Sequence, residues 1–230
     1  MIPNKRLLAA LAPLALLGLC VCKRDPAPPA RPAGVVLEID GLTIERREIE
    51  EWYPYLESIE PRLGHKTRIR AILANHVLPQ RLAARAHWQR RAELRLKAEG
   101  LARLATNYTD LMALAQKSEE PEHRGYAPAR PFAYSDLPYA LARAVLDEQR
   151  LGQVQGPIET PQGFAVLSTK RIIKGTMTPE NLAESYVVLF YTHDAKGFAE
   201  WLLPAQSSAA GRVTYVHPEF ADALPDWIKP

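Results

Sequence analysis

Residues 136–171 read DLPYALARAVLDEQRLGQVQGPIETPQGFAVLSTKR. Ser135-Asp136 stands ahead of this stretch as a helix cap, and Pro138 falls in the first turn, where its missing N–H costs nothing. Leu137, Leu141, Val145 and Leu146 recur at helical spacing and mark one buried face. Gly152 marks a turn. Two strands are then expected, near 157–160 and 164–173, with Gly163 between them. A helix followed by a hairpin predicts an α+β unit.

Upstream, residues 66–118 are rich in Ala, Leu and Arg. Ile69, Ile72, Leu73, His76, Val77 and Leu82 share a helical period. Pro79 is expected to kink or break this run, and Gly100 and Thr106-Asn107 mark further interruptions. YTDLMALAQK, residues 108–117, is expected as a last short helix with Leu111, Leu114 and Ala115 inward; 119–131 should be an irregular loop. Residues 35–44, VVLEIDGLTI, alternate around Asp40-Gly41 and predict strand–turn–strand. A helix should begin near Arg46, with Glu48, Glu50 and Glu51 where its dipole favours acids. The tail predicts a strand at Tyr186–Tyr191, a short helix containing Trp201 and a strand at Arg212–Val216.

The N-terminus has the pattern of an export signal. Lys5 and Arg6 precede the apolar run LLAALAPLALLGL, residues 7–19. That run is shorter than the about 20 apolar residues a bilayer span needs. Leu17-Gly18-Leu19-Cys20 is similar to a bacterial lipobox, with Leu19 where a small residue is usual. Two readings stand side by side: lipidation at Cys20, which would anchor the chain to a membrane, or a plain cleaved signal. No cysteine follows Cys22, so no disulfide is expected in the exported part. Residues 23–34, KRDPAPPARPAG, read as a Pro/Ala tether. The expected location is the periplasm or the cell envelope.

The formal charge of the 230 residues is +3, and Lys5 and Arg6 supply two of those charges. With acids and bases interleaved and no basic block, nucleic acid is not an expected partner. The six histidines are scattered. HExxH, GxSxG, P-loop and GxGxxG patterns are absent, so neither metal nor cofactor is expected.

Several pieces resemble the exported parvulin-type peptidyl-prolyl isomerases in order. VVLEIDGLTIERREIEEW is similar to the start of their chaperone domain, with Asp40 in place of the usual Asn. RIRAILANHVLPQRLAARA resembles the helix that follows. Residues from about Tyr108 to Arg171 resemble the latter part of the parvulin domain, and GFAEWLLPAQSSAAGRVTYVHPEF resembles the returning C-terminal segment. LMALAQKSEEP is similar to the element that places Glu120 at the family's acidic position. Gly125 and Phe132 resemble the loop ending in phenylalanine, and Leu137 and Leu141 match the apolar pair flooring the proline pocket. Thr160 matches the site threonine; Ala165 stands where the second histidine belongs. The strand carrying His-Ile-Leu does not precede Tyr108. Ser185–Tyr191 is one candidate replacement; a truncated sheet is the other.

The resemblance implies a helical chaperone-like domain over 35–105, a parvulin-like domain over 106–175 and a returning segment over 176–230. It implies Glu120 and Thr160 as catalytic residues, Phe132, Leu137 and Leu141 as the proline-ring contacts, and unfolded or extended polypeptides as partners. Two functions follow. One is a foldase that accelerates X–Pro rotation, a step with a barrier of about 18–20 kcal/mol, by binding the twisted amide better than the planar one. The other is a non-catalytic chaperone or scaffold that kept the fold without both histidines.

Overall fold

A computed structural model describes residues 34–117, 125–126 and 131–228. Cys20, Cys22, the Pro/Ala tether and Glu120 lie outside the described residues. The described chain is α+β, as the alternating periodicities predict, and two structural layers meet within it.

The first layer begins with the hairpin β1 (Val35–Ile39) and β2 (Leu42–Glu45). Asp40 (φ 51°) and Gly41 (φ 73°) both take left-handed backbone at its turn, the geometry of a two-residue loop that matches strand twist. The Asp40 carboxylate is held there by Arg85 and Arg212. Helices α1 (Arg46–Glu50), α2 (Tyr53–Ile59), α3 (His65–Ile72) and α4 (Leu78–Ala86) follow. Near the chain's end, α8 (Ala195–Ala210) returns to this layer, and β8 (Val213–Val216) pairs antiparallel with β1. Leu37, Ile39, Ile44, Leu56, Ile72 and Leu78 are fully buried in the shared core. Each such side chain contributes about 1.5–3 kcal/mol on burial.

Pro79 does not break the helical run. It lacks an N–H for the residue 75 carbonyl and would press its ring on that group. The backbone absorbs the conflict just upstream: Leu73–Val77 form a π turn, and the Leu78 N–H donates to the Leu73 carbonyl. Gly100 interrupts nothing either, because α5 runs unbroken over Trp88–Leu104. The breaks come at His87 (φ −120°, ψ 27°) and at residues 105–107, before α6 (Tyr108–Lys117).

The second layer is an antiparallel sheet. β6 (Gly163–Ile173) lies between β5 (Val154–Thr160) and β7 (Leu182–Tyr191). Two short strands, β3 (Gly125–Tyr126) and β4 (Phe132–Ala133), pair with the other side of β7. Part of the stretch expected to be irregular is thus strand. Alternation along β6 splits the sheet's faces. Phe164 and Val166, with Val188 and Phe190, pack on Leu94, Ala98, Leu101 and Leu111 of α5 and α6. Ala165 and Leu167, with Val187 and Ala183, pack on Leu141 and Val145 of α7 (Tyr139–Val145).

The expected boundaries at 105 and 175 therefore cut through this unit. α5 covers one face of the sheet, and β7 runs through the sheet's middle. Of the two ways to complete the sheet, the tail strand is the one observed. Local periodicity finds these elements, but assigning them to layers requires the long-range pairing of β6 with β7.

Candidate functional site

A cleft of about 510 Å³ lies where the first helical layer meets α7 and β5. Its walls come from distant parts of the chain: Glu48 and Glu51 at α1, Trp52, His76 of the π turn, Gln80 and Arg81 of α4, Ala140 and Arg143 of α7, and Ile158 and Glu159 of β5.

Local chemistry fixes each wall. The Glu48 carboxylate accepts the Glu45 backbone N–H at 3.0 Å, capping α1, and also the Arg81 guanidinium at 2.8 Å. Arg143 lies over the Trp52 ring, 5.1 Å from its centroid, with Glu51 at 3.7 Å. The His76 ring sits 4.0 Å from the Trp52 ring, centroid to centroid, with the planes tilted by 53°. The cleft thus holds both charge signs in pairs, with an aromatic and aliphatic lining between them.

His76 is 5% exposed, and its Nδ1 meets no hydrogen-bond partner among the described residues. Burial lowers its pKa to about 4, Arg143 pushes the same way, and Glu48 opposes them. The imidazole is therefore neutral at pH 7. Gln80, one turn further along the helix, likewise has a buried Oε1 without a partner. Buried polar atoms are normally satisfied, so two such atoms on one wall call for a partner; His87 and His193 hold a second such pair outside the cleft.

The residues expected to form a proline pocket lie elsewhere. Phe132 (3% exposed) and Leu141 (2%) are buried, Leu137 is half-buried, and all three join Ala165, Leu167 and Val187 in the cluster between α7 and the sheet. Thr160 is not in that cluster. Its hydroxyl donates to the Gly163 carbonyl at 3.3 Å and accepts the Gly163 N–H at 3.2 Å, closing the β5–β6 turn. The structure brings together the three apolar residues and Ala165; Thr160 sits at the hairpin's end, and Glu120 is outside the described residues.

Trp52, Gln80, Arg81 and Arg143 were not visible as site residues in sequence, because their proximity depends on how α7 docks. His76 was visible only as one member of an apolar helical face. Polar residues four apart on that face, His76 and Gln80, are the one signal that could have marked the wall.

A second aromatic cluster joins His87, His193 and Trp201, with the two imidazole centroids 4.9 Å apart. Burial and the nearby His193 and Arg91 lower the His87 pKa. Among the described residues, no group of three or more His, Cys, Asp or Glu side chains is placed to hold a metal. No helix among them is long and apolar enough to cross a membrane. In comparisons with known proteins, no family model, no curated protein and no solved structure matches this chain.

Proposed function

We propose that this chain is an exported polypeptide-binding chaperone related in layout to the parvulin-type foldases, and that an extended segment of an unfolded client lies in the cleft walled by Trp52, His76 and Arg143. One observation carries this reading: a cleft of about 510 Å³ that combines apolar surface, paired charges and two unpartnered buried polar atoms. Ligand sites commonly join an apolar lining to a few placed polar groups. The leader at 1–22 supports export, and Cys20 supports an envelope anchor.

The non-catalytic form of the reading is favoured by what the candidate catalytic groups do. The Thr160 hydroxyl is engaged at both ends by Gly163. Ala165, wholly buried, offers no hydrogen bond at the position of the second histidine. A catalyst of X–Pro rotation needs polar groups that bind the twisted amide better than the planar one. The isomerase reading keeps one supporting observation: Phe132, Leu137 and Leu141 converge in one apolar cluster, as a ring-binding floor requires.

Two assays on the full chain separate the readings. Suppression of aggregation of a heat-denatured client should be concentration-dependent and weaken in Trp52→Ala and Arg143→Ala. Protease-coupled isomerisation of an Ala-Pro tetrapeptide should show no acceleration. Acceleration that falls in Leu141→Ala and Thr160→Ala would establish the isomerase instead, and failure to hold any client would reject the chaperone.

A further inference from the structure

We propose that His76 and Gln80 read the backbone of the bound segment, accepting hydrogen bonds from alternate N–H groups of an extended polypeptide; this rests on the polypeptide-binding reading of the cleft.

The two residues are four apart on the continuous helix formed by the π turn and α4, and both line the cleft. Four residues of helix advance about 6 Å. Alternate N–H groups along one edge of an extended chain are about 6.8 Å apart. The axial advance between the two residues is thus close to the repeat of such an edge.

The chemistry of each atom agrees. The Gln80 Oε1 is an acceptor only. A neutral imidazole has one nitrogen that accepts, and the Trp52 ring at 4.0 Å keeps His76 in place. Both atoms are buried and unpartnered, so a donor arriving from within the cleft satisfies groups that are otherwise costly to leave alone. Arg143 lines the same cleft and can move aside for the segment. It overlies Trp52 and reaches Glu51 at only 3.7 Å, both weak holds on an exposed side chain. Val77, Ala140 and Ile158 give the intervening residue an apolar surface.

A rule on proline follows. Proline has no N–H, so it cannot occupy either reading position. It fits at the residue between them, or outside the pair.

The test uses the full chain and a fluorescein-labelled decapeptide with one central proline, alongside a series in which each backbone N–H in turn is N-methylated. Two positions, two residues apart, should lose about tenfold in affinity on methylation; the residue between them should not. Gln80→Met and His76→Leu should each weaken the parent peptide about tenfold. In each variant one of the two sensitive positions should cease to matter. His76→Asn, which returns an amide near the Nδ1 position, should recover most of the loss. Binding unchanged in folded His76→Leu and Gln80→Met would overturn this inference while leaving the cleft as a client site. If no peptide of the series binds, the polypeptide-binding reading falls with it. Gln80 is only half-buried, so Gln80→Met decides the matter should His76→Leu fail to fold.

Discussion

Trp52 and His76 pack ring against ring, centroids 4.0 Å apart, and the Arg143 guanidinium lies 5.1 Å from the centroid of the same indole. The stack joins α7 of the sheet unit to the helical layer, and His76 is its titratable member. Burial, and secondarily the positive charge of Arg143, disfavours the protonated form of His76 in the folded chain.

The sign of the resulting pH dependence is fixed. The folded pKa of about 4 lies below the ordinary 6.5, so the unfolded chain takes up the proton first. The stability contribution is complete above the ordinary value and is lost as pH falls through it toward 4. By pH 5 the loss should be about 2 kcal/mol. Urea unfolding of wild type and His76→Phe at pH 7 and pH 5 checks this. The variant should lose less than half as much over that interval, a window in which most carboxylates remain ionised.

Arg91 should be the most costly charged residue to replace. It is 4% exposed, and its guanidinium donates to the Pro161 carbonyl at 3.1 Å, the Thr160 carbonyl at 3.0 Å and Glu159 at 2.8 Å. It thereby ties α5 to the turn joining β5 and β6. Arg91→Met leaves buried carbonyls without donors and should cost about 3 kcal/mol in chemical denaturation. Arg91→Lys should recover less than half, because a single ammonium does not reproduce the planar fork.

Gly163 is required for a different reason. A Cβ at this position would stand 2.0 Å from the Phe190 carbonyl oxygen, in the backbone of β7. No side-chain motion relieves that contact; the two strands themselves must separate. Gly163→Ala should therefore destabilise by about 3 kcal/mol or more. A melting temperature within a few degrees of wild type would show that the β6–β7 spacing differs from the one described.

The elements that sequence made legible are those whose signal is local. Asp40-Gly41 between alternating strands predicts the hairpin, and Leu141 and Val145 on one face predict α7. The π turn was not legible, because the expectation for Pro79 was a kink or a break, and a wider turn suffices. Nor was the cleft. Its walls come from α1, the π turn, α4, α7 and β5, and no spacing along the chain encodes their meeting. Thr160 shows the converse difficulty: its position in the sequence suggested chemistry, while its hydroxyl serves the turn at Gly163.

The tail strand offers the most decisive test of the architecture. β7 pairs with β6 from Gly163–Tyr191 to Ile173–Leu182, and its other side carries β3 and β4. It also places Val188 and Phe190 against α5 and α6, and Val187 against Phe132 and Leu141. A chain ending at residue 175 loses both faces of this packing and leaves the long strand β6 with one open edge. It should show no cooperative unfolding transition and should self-associate. Supplying residues 176–230 as a separate polypeptide should restore the transition, since the missing strand then returns to its place between β6 and the short strands. A cooperative, monomeric fold for 34–175 alone would mean that β5, β6 and the helices suffice, and that the tail joins a unit already complete.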